Sequence, residues 1–301
     1  MEKPFILHLF TPAAQASPFD VNMAYDAGYD AVATYTQVEL TAVAGLTQDA
    51  IFSRGPKGVK RTGIFIGGRD VGTALDMLDA ARKAMVPPFE VSVFADPSGA
   101  FTTAAALIAA VMRQLRRAHA TDLQGRRVLI LGGTGPVGTV AAALAAQEGA
   151  DVLLGSHADV GRARACTTLL QQRYDLRVTP VRAGAADLAD LLPATEVIIG
   201  AAKAGVEVLP AAQLPHAKTL LVAADVNAVP PPGIANVGVM DDGAPLPDAG
   251  SGHAIGIGAL AVGNIKYQVE RGLFEQMRTA DKAQYLDFRH AFAKALDAVR
   301  D

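Results

Sequence analysis

At roughly 150 residues per domain, the 301-residue chain has length for two medium domains or one large one, which excludes a disulfide-stapled mini-protein. Half of its residues are hydrophobic and 19% are charged, below the roughly 25% usual for soluble domains, so a disordered chain is excluded as well. With 27 basic against 30 acidic side chains the formal charge is -3, and no broad positive field exists to draw a nucleic-acid backbone.

The chain opens on MEKPFILHLF, whose apolar stretch is shorter than a signal peptide requires and is interrupted by His8, so it reads as a first strand. Further strands are predicted at 31–36, 63–66 and 91–94, with helices between them. After Gly67-Gly68, the residues Val71, Ala74, Leu75, Leu78 and Ala81 recur at helical spacing and form one buried stripe. A second helix starts near Gly99, with Leu107, Val111 and Leu115 in line and Arg113, Arg116 and Arg117 on its wet side.

From Arg127 the alternation is more regular, with strands at 128–131, 152–154, 178–181, 197–199 and 220–223 and helices reaching Glu148 and Tyr174. Continuous apolar strands suit a parallel sheet covered on both faces. The segments 230–233 and 241–252 read as loops, and the end is helical, with Ile265, Val269 and Leu273 and then Tyr285, Phe288, Phe292 and Val299 in register. The expected fold is α/β with two domains: a Rossmann-type doubly wound parallel sheet over 119–263, and an N-terminal α/β substrate domain over 1–118 completed by helices of 264–301. The single cysteine, Cys166, can form no internal disulfide and points to a reducing cytoplasm. No run of 18 apolar residues occurs, so no membrane span is expected.

The strongest local signal is GGTGPVG at 132–138. Gly133, Gly135 and Gly138 satisfy G-x-G-x-x-G between a predicted strand and a predicted helix. In that pattern Gly133 serves the tight turn, Gly135 lets the main chain approach a pyrophosphate, and Gly138 lets helix and strand pack closely. Pro136 suits an early helical position, and the helix start offers free amide donors. The next strand ends in Leu154-Gly155-Ser156-His157 without the carboxylate that usually accepts a ribose hydroxyl, so NADP is tolerated and NAD is not excluded. Ser156 and His157 are positioned to bond a phosphate. Arg162 and Arg164 either add charge there or form a solvated helix face.

No histidine pair has helical metal-site spacing, and neither G-x-S-x-G nor Tyr-x-x-x-Lys occurs, so no metal is expected and no strong proton-transfer group is advertised. Carboxylates cluster in FDVNMAYDAGYD: Asp20 reads either as a helix N-cap or as a cleft group that balances positive charge, and Asp26 and Asp30 stand at i, i+4. Lys266 in GNIKYQ stands near a helix start, against the macrodipole, and reads either as an anion or substrate ligand or as a snorkelling surface lysine.

FDVNMAYDAGYD, IFIGGRD at 64–70, DPSGAFTTAAA at 96–106, DLQGRRVLILGGTGPVG at 122–138 and ADVNAVPP at 224–231 occur in order along nearly the whole chain. Together they resemble the bacterial NAD(P)-dependent methylene-tetrahydromethanopterin dehydrogenases. The resemblance implies hydride transfer from a methylene carrier to NADP or NAD in the cytoplasm of a methylotroph or similar bacterium, by a homo-oligomer, trimer or hexamer. It implies Asp20 and Lys266 as catalytic residues and Asp20, Asp26, Thr102 and Lys266 as pterin-side residues. On the cofactor side it implies Gly133, Thr134, Gly135, Pro136, Val137, Gly138, Ser156, His157, Asp225 and Asn227. The NADP-specific branch of the family carries adjacent basic residues where this chain has His157-Ala158, which favours the branch using both nicotinamides. A methylene-tetrahydrofolate dehydrogenase and a non-catalytic NAD(P) sensor are the alternatives; shikimate-type enzymes need a Lys-Asp pair that is not located here.

Overall fold

Short runs rich in branched and aromatic residues build most of the strands, and many of the helices that cover them are rich in alanine. The computed structural model describes residues 3–300. Its first part comprises β1 (Ile6–Phe10), α1 (Pro18–Asp26), β2 (Ala31–Tyr35), α2 (Leu40–Phe52), α3 (Pro56–Val59), β3 (Thr62–Ile66), α4 (Val71–Lys83), β4 (Ser92–Ala95) and α5 (Ala100–His119). There follow β5 (Arg127–Leu131), α6 (Pro136–Gln147), β6 (Asp151–Ser156), α7 (Val160–Tyr174), β7 (Thr179–Arg182), α8 (Leu188–Leu191), β8 (Val197–Gly200) and β9 (Val222–Asp225). The chain closes with β10 (Asp242–Pro245), β11 (Ile255–Ile257), α9 (Ala259–Thr279), β12 (Tyr285–Leu286) and α10 (Phe288–Ala298).

Two compact units result: one runs up to Thr102 and adds Tyr267–Lys294, and the other is Thr103–Lys266 with the residues from Ala295 on. The first holds a five-stranded sheet in the order β12-β4-β3-β1-β2, parallel throughout. All five residues of β3 are buried, as expected for a central strand covered on both faces. The fully buried ring of Phe274 on α9 lies 5.2 Å from Phe65 and 5.4 Å from Phe94. Its position completes the core over the sheet.

The second unit holds a seven-stranded sheet in the order β10-β11-β9-β8-β5-β6-β7, parallel except for the antiparallel β10. Read from β7 to β11 this is the doubly wound order of dinucleotide-binding folds. The apolar strands β5, β8 and β9 are buried between helical layers, with Leu129, Ile198 and Ala223 among the core residues.

Three readings from the sequence are corrected here. The 241–252 segment, expected as loop, contains β10, whose DGAP sequence carries no strand pattern; edge pairing with β11 makes it a strand. Tyr285, expected in the last helical stripe, instead lies in β12 against Val93. The strand expected at 220–223 runs Val222–Asp225, which brings Asp225 onto its carboxyl end. No helix among the described residues is long and apolar enough to cross a membrane.

Candidate active site at the strand ends

In open parallel sheets the crevice for a ligand opens at the carboxyl ends of the strands where the strand order reverses. Each unit has one such point.

In the second unit it lies between β5 and β8. The chain leaves β5 at Gly132, whose φ of +67° lies in the left-handed region and whose Cβ, if present, would stand 2.5 Å from the Ala202 Cα in the loop after β8. Gly132 is therefore the turn glycine that takes the left-handed conformation, a role that the sequence pattern assigned to Gly133. Gly133 is instead a packing glycine: it is buried, its amide donates to the Gly155 carbonyl at 3.1 Å, and a Cβ would strike the Leu154 side chain at 2.6 Å. A Cβ at Gly138 would stand 2.6 Å from the Gly133 Cα, so the first turn of α6 and the turn that leaves β5 approach as closely as backbones allow.

Gly135 differs. A Cβ there would meet nothing nearer than 3.8 Å, so no protein atom requires a glycine. The missing side chain leaves open backbone at the start of α6. Gly135 supplies no side-chain cap, Pro136 has no amide, and the amides of Val137 and Gly138 have no acceptor within the helix. Residues 134–137 are half-buried, whereas Gly133 and Gly138 are buried. This is the arrangement that a pyrophosphate fits: donors, a positive helix end and room for close main-chain approach. Ser156 is buried at the end of β6, and His157 is exposed just beyond it. Asp159, exposed beyond the strand, caps α7, its carboxylate accepting from the Gly161 amide at 2.8 Å.

Asp225 and Asn227 hold a loop. The Asp225 carboxylate, 2% exposed, accepts from the amides of Gly233 at 2.6 Å, Asn227 at 3.0 Å and Ile234 at 3.1 Å. Burial raises this carboxyl above the usual carboxylate range, against the pull of those amides. The Asn227 Oδ1 accepts from Gly205 and Val229, and its Nδ2 donates to the Pro231 carbonyl. The polar atoms of both side chains thus shape the segment 227–234.

In the first unit the order reverses between β1 and β3, and Asp20 is found there. Its Oδ2 lies 3.7 Å from where a Gly67 Cβ would be, beside Thr11, so the ends of β1 and β3 and the first turn of α1 converge. Asp20 is 3% exposed and is not the N-cap: Ser17 caps α1, its hydroxyl accepting from the Asp20 amide at 3.4 Å. A buried carboxylate at a topological switch point is a functional candidate by position.

The remaining pterin-side residues are dispersed. Asp26 is exposed at the far end of α1 and accepts from the Tyr267 hydroxyl at 3.4 Å, while the Asp30 carboxylate accepts from the Phe5 amide. Thr102 is fully buried, and its hydroxyl donates to Asp96 Oδ2 at 2.6 Å, with the Gly99 carbonyl and Glu270 Oε2 at 3.3 and 3.5 Å. Asp96 also accepts from the Phe101 amide at 2.7 Å, which folds DPSGAFT into a buried turn at the start of α5. Lys266 is half-buried, two turns into α9, and belongs to the other unit from Asp20. The macrodipole reading therefore does not apply to it, since that effect fades within the first turn.

Sequence reasoning missed Gly132, Asp96 and Glu270. Glu270 is a fully buried carboxylate on α9, and a charge beside Val269 inside an apolar helical stripe was its visible signal.

Comparison with known proteins matches residues 18–98 to a family model described as methylene-tetrahydromethanopterin dehydrogenase, N-terminal. The chain is 48% identical over 297 residues to the NAD(P)-dependent methylenetetrahydromethanopterin dehydrogenase of Methylorubrum extorquens, covering 97% of this chain and 98% of that one. It is 33% identical to the bifunctional protein MdtA of the same organism, over 90% of this chain and 91% of that protein. Among solved structures, the ligand-free 5-ketofructose reductase of Gluconobacter sp. strain CHM43 aligns over 98% of this chain and 99% of that one, with a TM-score of 0.51 and 17% identity, a likeness of fold alone. By its identity to curated relatives over nearly its whole length, the chain belongs to the family of NAD(P)-dependent methylenetetrahydromethanopterin dehydrogenases.

Proposed function

We propose that the chain catalyses reversible hydride transfer from methylene-tetrahydromethanopterin to NADP or NAD, yielding the methenyl carrier. The observation that carries the reading is the open backbone at Gly135 beside the uncapped start of α6, in a member of this family. A bound nicotinamide supplies the hydride acceptor. The reacting carbon of the carrier lies between two nitrogens whose lone pairs replace the departing electron pair, so one C–H bond breaks, an amidinium forms and no proton moves. This chemistry asks the protein for positioning to about 3–3.5 Å and for stabilisation of developing positive charge.

In the proposal, Thr134, Gly135, Pro136, Val137 and Gly138 cradle the pyrophosphate, and Gly133 lets that turn close onto β6. Ser156 and His157 face the adenosine ribose. Asp225 and Asn227 act as positioning residues that shape the loop after β9. Asp20 supports the cationic product by its charge, Asp26 and Lys266 bind the polar edge of the carrier, and Thr102 acts from behind by fixing Asp96. A cytoplasmic homo-oligomer, trimer or hexamer, that oxidises formaldehyde-derived one-carbon units completes the reading.

Steady-state rates with the methanopterin and folate carriers, each with NADP and NAD, test it. The reading expects the highest kcat/KM with the methanopterin carrier and turnover with both nicotinamides. Turnover of the folate carrier alone, or of neither, contradicts it.

A further inference from the structure

We propose that Arg182 reads the adenosine 2′-phosphate of NADP, and that Asp187 holds the same guanidinium when the nucleotide lacks that phosphate. The inference rests on the reading of the glycine turn as a dinucleotide site and extends it to the choice of cofactor.

In this fold the ribose of the adenosine meets the end of the second strand, here β6. Residues 157–159, directly after β6, provide no fixed cation: His157 and Ala158 are exposed, and Asp159 caps α7, with Arg162 and Arg164 exposed further along that helix. The neighbouring strand provides one. β7 runs parallel to β6 with Ser156 opposite Arg182, and strands in such a pair lie about 4.8 Å apart, well within the reach of an arginine side chain. The loops beyond the two strands also touch. The Ala183 amide donates to the Ser156 carbonyl at 2.9 Å, and a Cβ at Gly184 would stand 3.0 Å from the His157 carbonyl oxygen. The segment 182–187 therefore lies against 156–157.

The Arg182 side chain is 65% exposed, and its Nε lies 3.2 Å from Asp187 Oδ2. That oxygen also accepts from the Gly184 amide at 2.9 Å, so Asp187 stays in place whether or not the arginine remains. An exposed ion pair of this kind is weak and easily exchanged. A phosphate monoester offers the guanidinium a bidentate, more highly charged partner. With NADP the arginine turns from Asp187 to the phosphate; with NAD it stays on Asp187, where its charge is balanced. One arginine divided between a resident carboxylate and a visiting phosphate lets a single site accept both nucleotides.

Titration of the purified full-length protein with NADPH and NADH, followed by nicotinamide fluorescence, tests the assignment without turnover. Arg182→Ala should weaken NADPH binding about tenfold and leave NADH within about twofold, the loss expected for one charge-assisted phosphate contact. Arg182→Lys should recover part of the loss, and Asp187→Asn should tighten NADPH relative to NADH. An Arg182→Ala protein that binds NADPH as well as the parent does, or that loses both nucleotides alike, overturns the proposal, as does a selective loss of NADPH binding in Arg162→Ala alone. Parent protein that binds neither nucleotide overturns the reading of the glycine turn itself, and the arginine's role with it.

Discussion

Four glycines within seven residues do different work, and substitution separates them. Gly138 has the Gly133 backbone 2.6 Å from its missing Cβ, so Gly138→Ala forces α6 off the turn after β5; a destabilisation of about 1–3 kcal/mol is expected, read from denaturant or thermal melts. Gly135 has no such neighbour, and Gly135→Ala should cost at most about 1 kcal/mol, the difference between glycine and alanine at an N-cap. Its nucleotide affinity should nonetheless fall by about tenfold or more, because the new methyl occupies the side from which a pyrophosphate approaches. Equal stability losses in the two variants, with affinity untouched in Gly135→Ala, would show that the open side faces no ligand. Asp20 is tested by charge alone. Asp20→Asn keeps the shape but removes the stabilisation of the forming amidinium, so kcat should drop roughly 100-fold with little change in KM. Unchanged kcat/KM in both Asp20→Asn and Lys266→Ala would show that these residues do not serve the reaction.

At the scale of the elements, Asp287 ties α10 to the strand before it. Burial disfavours its charge, but hydrogen bonds from His290 and Arg289 outweigh that and hold its carboxyl at about 2. With the folded value below the ordinary 3.8, the group contributes stability above the unfolded value and loses it as pH falls through about 2. The contribution is about 2 kcal/mol at neutral pH, and Asp287→Asn should remove it, flattening the decline of the melting temperature on acidification. An identical acid decline in variant and parent contradicts the assignment. The same elements show what a reader of the sequence can extract. β1, β3, β5 and β8 are largely apolar runs between turn residues, so their positions are legible to within about two residues. α2 is expected only as a helix between two strands and without bounds, because its buried face, Val43, Thr47, Ala50 and Ile51, includes a polar residue. β10 and β12 are short strands made by pairing alone, and nothing in their own residues announces them. The glycine motif marks the nucleotide turn, but it does not reveal that Gly132 takes the left-handed turn conformation. Arg182 becomes visible only through its register with Ser156, a tertiary fact.

At the scale of the whole molecule, each unit has its own sheet and its own switch point, marked by Asp20 in one and by the glycine turn in the other. Ligand binding should therefore stabilise the folded chain by mass action: NADP at about 100 times its Kd adds about 2.7 kcal/mol. A melt unmoved by saturating NADP contradicts a nucleotide site in the native fold. The most direct measurement is a crystal structure with NADP bound. The account predicts the pyrophosphate over the Gly135 backbone, within hydrogen-bond distance of the Val137 and Gly138 amides, with the adenosine ribose beside Ser156. A nucleotide seated elsewhere, or one whose pyrophosphate leaves those amides untouched, would contradict it.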